Sequence, residues 1–467
     1  FKNLLQKFMN FKIYIIYKSF GVSKFLFYKK KNIKTKFNFK NRKEIIKFKI
    51  NEIIIGDLIY DSYLREKNKP TINLDDHEFT SYFNECLQIF YFWEEYFKKN
   101  CVKAIILSHT TYKLAIPLRI ASANGIPGYS VGINSAYYID NLRYTETNSK
   151  AYSEFFDKLS DEDKKKAIEK SKIYLDAKFD NNSGYEKSAE IFQAKTPYVL
   201  ENDKYKTFGK SKNINILNKN GNLNILITAH CFYDSPHAVS GLLFDDFFHW
   251  IDHLGQLSEK TNYNWYLKKH PHSGNKKLNN VILNNFTKKY PKLKILGEDI
   301  NNSELLSEKI DLVLTVYGSV GYEFPYLGIP VLLGATGTSY ENYTFCVQPK
   351  TIAEYDNFII SLKNSKNSLI SKEEVCSYFF SKYLCNWDLL DNFVENKIKY
   401  KTDFFSPIIF KIWMDQRPEK KTEKIYKEIE KFILNKTYNL VTNNIINFDR
   451  IHSTPQNQKI FGIGKGI

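Results

Sequence analysis

"VKAIILSHTTYKLAIPLRIASANGIPGYSVG", residues 102–132, sets the fold class. Its first eight residues form an apolar, β-branched run that reads as a buried strand. Residues 110–124 read as a helix with a threonine available to cap its start. Gly125 stands where a helix C′ residue belongs, and Pro127 prevents continuation. "GYSVG" (128–132) opens another strand. Strand, helix and strand joined by short connections make a βαβ unit, and hence a parallel pair.

The same pattern restarts after "NKNGNLN" (218–224), whose Asn-Gly step marks a boundary. Strands are expected at 224–230, 264–270, 293–296, 311–316 and 330–334. Helices are expected at 242–260 and 278–290, with a further one from 302 to 309 capped by Ser303 and a short one within 318–328. This is a doubly wound α/β domain. Upstream, "EIIIGDLIYD" (52–61) contains a strand-like run in which Ile53–Ile55 precede Gly56 and Asp57, and 78–99 reads as an amphipathic helix. The expected division is an N-terminal Rossmann-like domain over 1–217, a C-terminal Rossmann-like domain over 218–355, and a helical region with a tail over 356–467.

Composition narrows the function classes. The net charge of +17 is concentrated at the start: residues 1–50 carry 15 Lys/Arg against Glu44 alone, or +14 (15 − 1), leaving about +3 for the rest. A basic body surface for nucleic acid is therefore not expected. The interleaved aromatics of residues 1–50 suit that segment to an anionic inner-membrane surface. An ordinary basic domain edge is the competing reading. The six cysteines show neither a CxxC pair nor metal-site spacing, which fits reduced, buried thiols in a cytoplasmic protein. The longest early apolar run, "IYII" (13–16), is too short to span a bilayer.

Ligands of open parallel sheets bind beyond the carboxyl ends of the strands, and unusual residues gather there. Asp57 follows one strand and His109 another. His230, Asp234 and His237 follow the first strand of the second domain, and Lys268, His270 and Pro271 its second. Tyr317, Gly318, Ser319 and Glu323 follow a later one. "KKHPH" reads as an anion site: proline fixes the chain direction, Lys268 supplies a compact charge, and His270 supplies a ring N–H for a phosphate oxygen. In "YGSVGYE", Gly318 lets the backbone approach a ligand. Ser319 opens a helix, where N–H groups and dipole favour phosphate, and Glu323 is one turn on, placed to accept from ribose or base hydroxyls. A basic surface turn and a plain helix cap are the competing readings.

Other motifs are missing. There is no GxxxxGK[ST] loop, no GxGxxG and no GxSxG elbow. His249 and His253 have HxxxH spacing without the following Glu of a metalloprotease. Asp245 and Asp246 read as the polar side of a helix start. Neither a metal nor a cofactor is expected.

Two Rossmann-like domains facing a cleft, followed by C-terminal helices, resemble the GT-B architecture. "IIIGDLIYDSYLR" (53–65), "IILSHTTYKLAIPLRIASANGIP" (105–127), "HCFYDSPHAVSGLLFDDFFHW" (230–250), "LKKHPH" (267–272) and "DLVLTVYGSVGYEFPYLGIPV" (311–331) together resemble the capsule polysaccharide biosynthesis family of bacterial glycosyltransferases. This broad group includes Kdo transferases and is related in motif usage to polysialyltransferases. The resemblance implies a nucleotide-sugar donor, CMP- or UDP-linked, with His270 and Ser319 on its phosphate, and a glycan or glycolipid acceptor. Asp57, His109 and Asp234 are the candidate catalytic groups. His230, His237, Lys268, His270, Pro271, Tyr317, Gly318, Ser319 and Glu323 are the candidate donor ligands. Competing activities are a teichoic-acid-type polyol-phosphate transferase using CDP-glycerol and a sugar-nucleotide epimerase. A basic membrane- or RNA-binding protein is the reading without catalysis.

Overall fold

A computed structural model describes residues 37–131, 136–139, 148–179, 216–270, 276–297, 300, 302–306, 308–362, 370–385 and 419–436. Most of the basic segment, together with Pro271, lies outside these residues.

The first unit begins with α1 (Arg42–Ile46) and a two-stranded hairpin, β1 (Lys49–Ile50) and β2 (Ile53–Ile54). The strand expected within 52–61 is a correction: β2 stops after two residues, and α2 (Gly56–Lys67) takes over. A Cβ at Gly56 would lie 1.7 Å from the Ile45 carbonyl oxygen, so only glycine lets the helix start against α1. The apolar face of α2 (Leu58, Ile59, Tyr63) and of α3 (His77–Lys99) then close a core with Ile116 and Ile120 of α4 (Ile116–Ala123). The α4 helix starts six residues later than expected, after a 3-10 turn at Lys113–Ala115. Gly125, with φ +70°, follows its C-cap as the sequence indicated.

Strands β3 (Ile105–Leu107) and β4 (Gly128–Val131) pair in parallel, the βαβ unit read from the sequence, but β5 (Ala136–Ile139) adds antiparallel. The N-terminal sheet is therefore a mixed three-stranded one rather than an all-parallel one.

Two helices follow, α5 (Ser149–Asp157) and α6 (Asp161–Phe179). The sequence groups them with the first unit, yet Tyr152, Ala167 and Leu175 pack in one core with the second. That unit is built on β6 (Asn224–Thr228), β8 (Asn264–Lys268), β9 (Leu293–Ile295), β10 (Leu312–Thr315) and β11 (Val331–Leu333), all parallel, in the order β11-β10-β6-β8-β9. Numbered within the unit, this is the doubly wound order 3-2-1-4-5. A short antiparallel pair, β7 (Gly241–Leu242) with β12 (Ala335–Thr336), flanks it.

Both faces of this sheet are covered, which explains its near-continuous apolar strands. Ile225, Ile227, Trp265, Leu267, Leu312 and Leu314 face one core, shared with α7 (Phe247–Glu259), α8 (Lys276–Lys289) and residues of the later α11. Leu226, Tyr266, Val313, Val331 and Leu333 face the other. That core is shared with α5, α6, α9 (Asn302–Leu306), α10 (Val320–Tyr326) and residues of the later α12. Ser303 lies inside α9 rather than before it. Helices α11 (Ile352–Ile360) and α12 (Lys372–Phe379) thus pack on opposite faces of the sheet.

The last described helix, α13 (Glu419–Asn435), returns to the first unit, where Phe432 packs on Tyr129 and Ala136. The chain is α/β, built as two α/β units. Each unit borrows helices from the other's stretch of sequence. Among the described residues no helix is long and apolar enough to cross a membrane. Five cysteines are buried and Cys101 is exposed, and none forms a disulfide.

Candidate functional site

The strand order reverses between β6 and β10, and the loops leaving these two strands meet there. His230 lies at the start of the loop that leaves β6. Its Nε2 lies 3.2 Å from Thr315 Oγ1 and accepts from the Val316 N–H at 3.2 Å. An accepting Nε2 puts the ring proton on Nδ1. The ring stacks on Phe247 at 4.5 Å and leans on Tyr317 at 4.9 Å. Burial, with His270 nearby, drives its pKa down to about 3, so His230 is a neutral hydrogen-bond donor.

On the β10 side, Tyr317 donates to the Ser235 carbonyl at 2.7 Å, tying the two loops together. Ser319 is exposed, and its hydroxyl does not cap α10. Gly321 lies flat on Tyr340, where a Cβ would sit 2.6 Å from the ring, and the Tyr340 hydroxyl donates to the Gly318 carbonyl at 2.8 Å. The glycines therefore fix the position of this loop. Glu323 is buried. Lys268 stands at the end of β8, next to β6 in the sheet, its ammonium donating to the Ile300 carbonyl. His270 is half-buried beside it.

His237 is used differently. Its Nδ1 lies 2.6 Å from Asp61 Oδ1, its main-chain N–H donates to Asp61 Oδ2 at 3.1 Å, and its Nε2 reaches the Asp245 carbonyl at 3.1 Å. Both ring nitrogens are spent, so His237 joins α2 of the first unit to the second. Burial opposes its charge, but the Asp61 carboxylate outweighs that and raises its pKa. Burial pushes Asp61 up to about 6, against the opposing pull of His237. The pair thus holds a proton between two buried groups.

Beside it, Tyr60 donates to Asp246 Oδ2 at 2.6 Å. Asp246 is fully buried and caps α7, accepting from the N–H and Nδ1 of His249 at 2.9 and 2.8 Å. The expected polar side of a helix start is thus a buried N-cap. His253 pairs with Asp356 at 2.6 Å, so the HxxxH spacing serves two separate carboxylates. No cluster of three metal-ligating side chains occurs among the described residues.

The three catalytic candidates separate. Both oxygens of Asp57 are held by Arg119 at 2.5 and 2.6 Å in a largely buried fork, which pins α2 to α4. His109 is exposed, with Nδ1 2.9 Å from Ser108 Oγ. Asp234 is half-exposed and accepts from the Tyr112 hydroxyl at 2.5 Å, across the units. Tyr112 has φ +61° and ψ 178°, a region almost reserved for glycine. Holding a tyrosine there costs about 1–3 kcal/mol.

Sequence reading missed Asp61, Arg65, Tyr112 and Thr315. A helical reading of 56–67 would have exposed the first two: Asp57, Asp61 and Arg65 recur every four residues.

No protein-family model matches the chain, and no curated protein does. Among solved structures it is similar to the Thermosulfurimonas dismutans KpsC, a beta Kdo 2,4 transferase, at 14% identity and TM-score 0.36, over 59% of this chain and 78% of that one. It is also similar to the Methanocaldococcus jannaschii UDP-GlcNAc 2-epimerase in complex with UDP-GlcNAc and UDP, at 14% identity and TM-score 0.27, over 63% and 79%. Similarity at this level carries no chemistry across, so function rests on the residues themselves.

Proposed function

We propose that the chain is a glycosyltransferase. It moves a sugar from a nucleotide-activated donor, CMP- or UDP-linked, to a hydroxyl of a bacterial capsule or surface polysaccharide. The observation that carries this is the switch point of the 3-2-1-4-5 sheet, furnished with Lys268, His230, His270 and the Gly318–Ser319 turn. Each is a donor or a cation, and together they suit a phosphate.

The donor phosphate lies at this point. As the bond between the anomeric carbon and the phosphate oxygen breaks, the electron pair leaves with the phosphate. Lys268, the Nδ1–H of His230, His270 and the Ser319 hydroxyl stabilise that charge without calling on a metal. The acceptor oxygen bonds to the anomeric carbon and gives its proton to a base. Asp57 is occupied by Arg119, which leaves His109 and Asp234, one on each unit. The acceptor is a glycan or glycolipid, and residues 1–50 bring the enzyme to the inner membrane surface from the cytoplasm.

The test is a thermal-shift panel of CMP, UDP, GDP and CDP-glycerol. Stabilisation by CMP or UDP, lost in His270→Ala with the melting temperature of the free protein kept, is the expected result. Stabilisation by CDP-glycerol alone selects polyol-phosphate transfer, and no response to any of the four sinks the donor reading.

A further inference from the structure

Asp234 is held by one oxygen only. Its Oδ1 accepts from the Tyr112 hydroxyl at 2.5 Å and from the Ser235 N–H at 2.9 Å, and Arg65 Nη1 lies 3.5 Å away. Among the described residues, Oδ2 has no hydrogen-bond partner. The holders form a chain. Arg65 Nη1 donates to the Tyr112 oxygen at 2.5 Å, and the Tyr112 O–H in turn donates to Asp234. The Arg65 guanidinium also lies over the Tyr112 ring at 4.8 Å. Burial and the Asp234 charge push the phenol pKa up, so Tyr112 remains a donor. Arg65 and Tyr112 come from the first unit and Asp234 from the second. Ser235 is the residue whose carbonyl Tyr317 holds at the switch point.

We infer that Arg65 and Tyr112 are positioning residues that anchor Oδ1 of Asp234 so that Oδ2 accepts a hydroxyl of the bound ligand. This rests on the donor reading above and deepens it, because it chooses Asp234 over His109 as the base and requires both units to complete it. A carboxylate loaded on one oxygen cannot rotate away, and its open oxygen is aimed. The strained backbone at Tyr112 fits the same role, since that conformation delivers the hydroxyl across the units. The step balances: the ligand O–H proton passes to Oδ2 as the oxygen bonds to the anomeric carbon, and the phosphate departs with the electron pair.

The test uses the whole chain and the hydrolysis of UDP- and CMP-sugars, with water standing in for the acceptor. Asp234→Asn is expected to lower turnover at least about 100-fold. Tyr112→Phe keeps the ring and the strained backbone but removes the donor, and should lower turnover about 10-fold with KM for the sugar nucleotide unchanged. Adding Tyr112→Phe to Asp234→Asn should cost nothing further, because the hydroxyl acts only through that carboxylate. Arg65→Lys should retain more turnover than Arg65→Gln. Additive losses in the double variant, or a Tyr112→Phe effect confined to KM or to melting temperature, overturn the inference. If turnover survives Asp234→Asn, the inference falls while the donor reading stands. If the wild type binds no nucleotide, the donor reading falls first and takes the inference with it.

Discussion

The switch point and the seam between the units use the same residue types in opposite ways. His230 and His237 leave the same strand seven residues apart. His230 meets neutral partners, a threonine hydroxyl, a main-chain N–H and aromatic rings, so burial removes its charge. His237 meets a buried carboxylate and a carbonyl oxygen, so the same burial is overcome. A histidine's role is thus set by what surrounds it: where acceptors surround it the residue is glue, and where it keeps one N–H outside the protein's own bonding it can serve a ligand.

The largest expected effect breaks the seam. Asp246→Ala removes the cap of α7 and takes the buried carboxylate partner from the Tyr60 hydroxyl and the His249 ring, for a loss of about 3 kcal/mol of unfolding free energy in urea. A loss under about 1 kcal/mol would show that the seam does not hold the units. Gly321→Ala tests the other region. Tyr340 must move to admit the methyl, which costs about 1–3 kcal/mol and releases its bond to the Gly318 carbonyl. Nucleotide binding should fall more than stability does, and calorimetry beside thermal melts would separate the two.

The smallest effect is one of pH, and its sign sharpens the contrast. The folded pKa of His230 lies below its unfolded value of 6.5, at about 3, so the stability it contributes is lost as pH falls from 6.5. His237 is raised, so its contribution is complete below 6.5 and lost as pH rises through its folded value. Asp61 acts with it, its contribution being lost as pH rises from 3.8 through about 6. Each proton changes stability by at most about 1.4 kcal/mol per pH unit. Urea unfolding at pH 5, 6.5 and 8 should show the penalty of His230→Gln shrinking toward acid and that of His237→Gln shrinking toward alkali. Movement of both in one direction breaks the assignment.

The parallel sheet was legible because both its faces are buried, so its strands are continuous apolar runs that end at loops rich in polar residues. Lys268, His270 and the Tyr317–Ser319 turn could be placed at its edge from that alone. The first unit was less legible. Ile53–Ile55 is β-branched and reads as a strand, but the helix begins at Gly56 because that glycine sits against the Ile45 carbonyl, a contact no local pattern shows. The packing of α5 and α6 was not legible for a similar reason. Helices α5 and α6 follow the first unit in sequence, yet their apolar faces fill the open face of the second unit's sheet.

The sequence by itself determined the α/β class, most strands of the parallel sheet and the residue types at their ends, because these depend on hydrophobic period and turn chemistry within a few residues. Only the tertiary structure decided the strand order, the exchange of helices between units, and which polar residues are spent on each other. Asp61 meets His237 across 176 residues and Tyr60 meets Asp246 across 186. Pairings at such separations arise from the packing of whole elements, and a side chain's charge and its availability to a ligand follow from its partner.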